Sequence, residues 1–179
     1  MEAKTNMKKA KIFVDVLLLI VTILLTNIDI SGSLTHEILG ISMAILLIIH
    51  IFLNWNWVKQ VTKNLKKVNK KTKTMYIINI LTMLIYFGAI IFGIIISNEL
   101  FRFKTSSNIY LVITHLILGR LSIIVMFIHI GMHLDRMFIK IKSKKIKNFL
   151  YCIYIIMAVL VSIYSIYTLT HSYQWMYMF

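Results

Sequence analysis

The chain has no proline and a single cysteine, Cys152, among its 179 residues. One cysteine cannot form an intramolecular disulfide. It also excludes the paired-cysteine motif that attaches haem covalently and any iron–sulfur cluster held by several thiolates. A metal or cofactor in this protein must therefore be held by other side chains.

Acidic residues are scarce as well, with 6 against 20 basic ones and a net charge of +14. Seventeen of the basic residues lie before the first apolar run, at 59–73 or at 136–147, and only two lie in the alternate segments. This bias predicts a cytoplasmic N-terminus and an external C-terminus. It also favours contact with anionic lipid headgroups. The sequence contains no nucleic-acid-binding module, so we expect no nucleic-acid partner.

Apolar residues are abundant: 59% of the chain is hydrophobic, against about 45–50% in soluble domains, and the mean hydropathy is +0.82. Five apolar runs approach or exceed the roughly 18–20 residues that cross a bilayer. They cover 12–30, 38–57, 75–97, 109–134 and 148–170. No small-residue cleavage site follows the first run, so we expect a retained anchor. The sequence predicts an all-α integral membrane protein with little room for a soluble domain.

Two of the runs repeat one pattern. HEILGISMAILLIIHI at 36–51 matches HLILGRLSIIVMFIHI at 115–130 in eight of sixteen positions, at an offset of 79 residues. Isoleucine matches carry little weight in so apolar a chain. The repeat also matches two histidines fourteen residues apart and a glycine four residues after the first of them. The matched histidines are His36 with His115 and His50 with His129.

The spacing places both histidines of a run on one helix face, because fourteen residues rise about 21 Å and turn about 40° short of four full turns. Alternate runs cross the membrane in the same direction. We therefore expect His36 to meet His115 near the outer side and His50 to meet His129 nearer the inner side. Two imidazoles at each of two levels suit two haem b groups, each with two axial histidines on its iron.

Four glycines surround these positions. Gly40 and Gly119 lie one turn beyond the first histidines, where they either leave space for a flat cofactor or serve ordinary helix packing. Gly88 and Gly93 in the third run offer further room. These glycines are candidates for the lining of a cofactor site.

Two further polar residues in the fourth run allow alternatives. Arg120 is a cation inside an apolar run that either pairs with a haem propionate or extends to the membrane surface. His133 shares the face of His129, one turn farther along, and competes with it as the inner ligand. The level of His50 favours His129, which leaves His133 beside the site.

The stretches HEILGxxxxxxxxIHIFLNW at 36–55 and HxxLGxxxxxxxxIHIGMH at 115–133 resemble the flavinylation-associated cytochrome family of bacterial membranes. The resemblance covers 8–138 and implies a four-helix haem-binding bundle that passes electrons across the membrane. It leaves 139–179 as a basic loop and an additional, fifth transmembrane helix. It further implies a separate external protein carrying FMN as a redox partner. We expect a quinone or quinol in the membrane as the other partner, with the direction of electron flow left open. The chain departs from the family pattern at Asn54, where a histidine is expected.

Two other classes of function stay open at this stage. The histidines suit a transition-metal or proton transporter, although metal ligands converge within about 2 Å of one ion and these pairs are about 21 Å apart. A membrane assembly subunit, in which the histidines bond neighbouring helices, does not require matched spacing. The sequence shows no nucleophile–base pair or nucleotide loop, so an electron-transfer subunit is favoured over a stand-alone enzyme.

Overall fold

The computed structural model describes residues 2–26, 32–102, 108–139 and 141–176, and every regular element among them is an α-helix. The helices are α1 (Glu2–Leu25), α2 (Ser33–Lys63), α3 (Lys70–Ile95), α4 (Ile109–Met137) and α5 (Lys144–Met176). Each predicted apolar run corresponds to one helix, although 27–30 of the first run lie outside the described residues. The predicted all-α class is therefore confirmed.

Four of the helices, α2 to α5, are long and apolar enough to cross a membrane. Within the described residues α1 is not among them. Lys8, Lys9, Lys11 and Asp15 occupy its first part, so the apolar stretch within its described residues is shorter than the about 18 residues that a crossing requires. The structure thus supports a multi-pass membrane protein and shows four of the five predicted spans.

Asparagine side chains fix where α3 and α4 begin. The Asn69 side chain accepts a hydrogen bond from the Thr72 amide at 2.8 Å, and Asn108 accepts one from the Tyr110 amide at 3.0 Å. These contacts satisfy amides that have no acceptor within the helix. Only 64–69 separate α2 from α3, and this short link returns the chain alongside the helix before it.

The core of the bundle takes one residue from each of the first four helices. Val21, Met43, Tyr86 and Met126 form a buried cluster, and Met43 is only 1% exposed. The Tyr86 hydroxyl is hydrogen-bonded to Thr22 of α1 at 3.2 Å. These contacts join α1 to α4 into one four-helix unit.

Helix α5 packs on the outside of this unit, against α4. The Tyr154 hydroxyl donates to the carbonyl of Phe127, and the Ser165 hydroxyl donates to the carbonyl of Arg120 at 3.1 Å. The rest of its surface is apolar and exposed, as at Phe149 and Ile163. Such a surface suits contact with lipid tails.

Candidate cofactor site

The structure brings the four repeated histidines together in two pairs. The ring centroids of His36 and His115 are 6.1 Å apart, and those of His50 and His129 are 6.4 Å apart. Both pairs form only if α2 and α4 run in the same direction and in the register of the repeat. We call His36 and His115 the outer level and His50 and His129 the inner level, after the predicted orientation.

The ring separations fit one metal atom between each pair. A metal–imidazole nitrogen bond is about 2 Å long and the nitrogen lies about 1.1 Å from the ring centre, which places two axial rings about 6.3 Å apart. The separations of 6.1 and 6.4 Å lie on either side of this value. The donor set and its spacing therefore fit a haem iron at both levels.

One histidine of each pair has its ring orientation set by a hydrogen bond through Nδ1. At the outer level His115 Nδ1 lies 2.9 Å from the carbonyl oxygen of Ala89. At the inner level His50 Nδ1 lies 2.7 Å from Oδ1 of Asp15. Both oxygens are acceptors, so in the neutral imidazole Nδ1 carries the hydrogen and Nε2 keeps its lone pair for a metal.

The other histidine of each pair contains a buried ring nitrogen that is unsatisfied. Nδ1 of His36 and Nδ1 of His129 have no hydrogen-bond partner among the described residues. Buried polar atoms are usually paired, and an exception calls for an explanation. In both rings the unsatisfied atom is Nδ1, whereas an axial ligand here would use Nε2, so these exceptions do not by themselves indicate a metal.

A cavity of about 370 Å³ adjoins the outer pair. Gly40 and Gly119 line it, and a Cβ added to either would have no heavy atom within 4 Å. These two glycines therefore face open space and do not serve helix packing. A side chain at either position would occupy room that a flat cofactor needs.

Gly88 and Gly93 have a different role from the one we expected. A Cβ on Gly93 would lie 2.9 Å from Cε1 of His115, and one on Gly88 would lie 3.2 Å from Cδ1 of Leu118. These glycines let α3 approach α4 closely. Gly93 also lines the cavity. Because it has no Cβ, the His115 ring can lie against it.

The Arg120 guanidinium belongs to the same cavity. Its Nη1 donates to the carbonyl oxygen of Thr26 at 3.1 Å, and its charge acts on His36. The residue is thus directed to the cavity at the outer level. Its pairing with a propionate stays a prediction.

Glu37 lines the cavity and contacts the segment after α3, a role that we did not foresee from the sequence. Its carboxylate accepts hydrogen bonds from the Ser97 hydroxyl at 2.7 Å and from the amides of Asn98, Glu99 and Leu100 at 2.9, 3.2 and 2.8 Å. Ser97 and Asn98 also line the cavity. The first turn of α2, next to His36, is therefore tied to the segment that follows α3.

His133 lies beside the inner level. Its ring centroid is 4.9 Å from that of His129, and it is His129 that lies 6.4 Å from His50. Asn54, the repeat position equivalent to His133, donates through Nδ2 to the carbonyl oxygen of His50 at 2.9 Å. This geometry favours His129 as the residue opposite His50.

Asp15 is the second residue whose role we did not foresee from the sequence. The structure places its carboxylate on His50. A carboxylate in an apolar run is costly and commonly functional, and that signal was present in the sequence. What the sequence lacked was the rotation of α1 about its axis.

The described residues contain no group of three or more histidine, cysteine or acidic side chains that could hold a metal ion. No family model, curated protein or solved structure matches the chain.

Proposed function

We propose that this protein is a b-type membrane cytochrome that binds two haem b groups and relays electrons across the membrane. His36 and His115 would hold one group, and His50 and His129 the other. The observation that carries the proposal is the recurrence of the same pairing at two levels, with ring centroids 6.1 and 6.4 Å apart. The haem iron supplies a one-electron couple when bound.

The residues of the chain would bind, orient and enclose the cofactors. Ala89 and Asp15 hold the hydrogen on Nδ1 of their histidines, which leaves Nε2 for the iron. Gly40 and Gly119 leave room for the macrocycle at the outer level, and Arg120 offers a cation for a propionate. No covalent step on a substrate is required, so we propose an electron-transfer subunit.

The resemblance to flavinylation-associated cytochromes supports the partners in this proposal. Residues 8–138 would form the haem-binding unit, and 139–179 would add a basic loop and an extra transmembrane helix. The lysine-rich segments would face the cytoplasm, with the N-terminus inside and the C-terminus outside. A quinol in the membrane would donate electrons, and a separate external protein carrying FMN would accept them.

The alternatives receive less support from the geometry. A transporter of bare metal ions needs several ligands around one ion, and the described residues offer no such group. An assembly subunit needs neither a ring spacing that fits an iron nor glycines that face a cavity. Neither alternative explains why nearly the same ring separation recurs at both levels.

Haem content after purification from haem-supplied cells tests the proposal. We expect two non-covalent haems per chain by pyridine haemochrome assay, and none when all four ligand histidines are replaced by alanine. His171→Ala is the matched control, because among the described residues this exposed ring bonds locally, to the carbonyl of Tyr167 at 3.1 Å. A colourless wild-type protein, or a fourfold variant that keeps both haems, would refute the proposal.

A further inference from the structure

The two levels differ in what accepts the Nδ1 hydrogen of a ligand histidine. At the inner level the acceptor for His50 is the Asp15 carboxylate, 2.7 Å away. At the outer level the acceptor for His115 is the backbone carbonyl of Ala89, 2.9 Å away. One level therefore bonds a ligand to an anion and the other bonds one to a neutral group.

The remaining charges near the ligands do not cancel this difference. At the outer level both Glu37 and Arg120 act on His36, with opposite signs. The Glu37 charge is also shared among four hydrogen-bond donors. At the inner level Asp15 acts on His129 as well as on His50. At the inner level, therefore, the Asp15 carboxylate is hydrogen-bonded to one ligand histidine and acts electrostatically on the other.

A carboxylate on the far nitrogen of a ligand imidazole makes the ring a stronger donor to the metal. It also attracts the additional positive charge of the ferric state. Both effects favour ferric over ferrous iron. Both therefore lower the reduction potential at the inner level.

We propose that Asp15 is a positioning residue that holds the inner haem at a lower reduction potential than the outer haem. Electrons would then pass downhill from the His50/His129 level to the His36/His115 level. The step moves one electron from ferrous to ferric iron, with no bond made or broken and no proton transferred. This inference depends on the proposed function, because it assumes both haems.

Redox titration of the purified, haem-loaded protein, followed by absorbance, gives the first test. We expect two resolved one-electron components in the wild-type protein. His50→Ala removes the inner ligand, so it should abolish the lower-potential component and keep the higher one. Loss of the higher component, or a wild-type titration with a single potential, would overturn the inference.

The second test removes the charge of Asp15 and keeps an acceptor oxygen. In Asp15→Asn we expect the lower potential to rise while the higher one stays unchanged. At a fixed potential the ferric-to-ferrous ratio of the inner haem should fall at least tenfold, which corresponds to about 59 mV for one electron. Asp15→Glu keeps the charge and should stay closer to the wild-type value than Asp15→Asn.

Asp135→Asn is the matched control for the second test. Asp135 lies on α4 toward the inner end of the bundle and bonds Lys71 and Tyr151, with no ligand histidine among its recorded contacts. Unchanged potentials in Asp15→Asn, or an equal rise in Asp135→Asn, would refute the role of Asp15. If Asp15→Asn does not retain haem, Asp15→Glu decides the question: this variant keeps the charge, so its inner potential should stay below the outer one, and an inner potential equal to or above the outer one would refute the role of Asp15. A colourless wild-type protein would instead defeat the proposed function.

Discussion

The outer and inner levels of the bundle have the same histidine framework and different surroundings. Each level pairs one ring from α2 with one from α4 at almost the same separation. The outer level has an adjoining cavity lined by three glycines and Arg120, whereas the inner level has Asp15 and His133. The repeated segments therefore provide the four histidine rings. The two levels differ because of residues that are not matched in the repeat.

Helices α1 and α3 supply much of this difference. Asp15 comes from α1, and Ala89 and Gly93 come from α3. None of these residues belongs to the repeated segments. A duplicated pair of ligand helices can thus acquire two unlike sites through neighbours that are not duplicated.

The largest expected effect comes from removing one histidine at each level. His36→Ala and His50→Ala should each lower the haem content from two to one per chain, because each level would lose one axial ligand. The two variants should lose different components in reduced-minus-oxidised spectra and redox titrations. If either single variant loses both haems, the two levels are not independent sites.

Two glycine substitutions should distinguish a glycine that contacts a histidine from a glycine that leaves room for a cofactor. Gly93→Ala places a Cβ 2.9 Å from Cε1 of His115, so it should displace that ring at a cost of about 1–3 kcal/mol and impair only the outer haem. Gly40→Ala has free space, and alanine favours the helix by about 1 kcal/mol. It should therefore preserve the haem-free protein and lower outer haem occupancy.

Thermal unfolding of the haem-free protein and haem titration, carried out on both glycine variants, measure the two effects. Gly93→Ala should unfold at a lower temperature without haem, and Gly40→Ala should not. Normal haem loading in Gly40→Ala would show that the cavity at Gly40 is not the cofactor position.

A smaller effect is expected from Glu37→Gln, again at the outer level alone. The substitution removes the charge that strengthens four hydrogen bonds to the segment after α3, at a cost of about 1 kcal/mol in this exposed setting. The outer haem should then transfer faster to an excess of a haem-binding acceptor protein. Glu99→Gln is the control, because only the backbone amide of Glu99 contacts Glu37. Equal rates in the two variants would contradict the role assigned to Glu37.

The smallest effect should follow His133→Ala. Since His129 lies opposite His50, the variant should keep both haems with a minor spectral shift, whereas His129→Ala should lose the inner haem. Haem stoichiometry distinguishes the two variants. Loss of the inner haem in His133→Ala, with retention in His129→Ala, would exchange their roles.

The sequence was sufficient to predict the helical class and the pairing of the histidines. Long apolar runs leave few alternatives to helices, and a period of fourteen residues fixes the face on which the rings lie. The structure does bring His36 to His115 and His50 to His129. Both features can be read from the sequence, because they depend only on the spacing of residues along one helix or on the likeness of two segments.

The residues that contact the paired histidines could not be predicted in the same way. Whether Asp15 faces His50 depends on the rotation and depth of α1, which no repeat specifies. The contact of Glu37 with 97–100 depends on where the chain goes after α3. Gly93 suggested empty space, yet the close approach of α3 to α4 fills that space with the His115 ring.

The angle between paired rings has a consequence for magnetic resonance. The ring planes cross at 85° at the outer level and at 67° at the inner level. Crossed axial imidazoles leave two of the iron d orbitals close in energy, whereas parallel ones separate them. Ferric iron held at these angles should give strongly anisotropic low-spin signals, with the greater anisotropy at the outer level. A frozen, fully oxidised sample should thus show two overlapping signals that report how far each pair of rings is twisted.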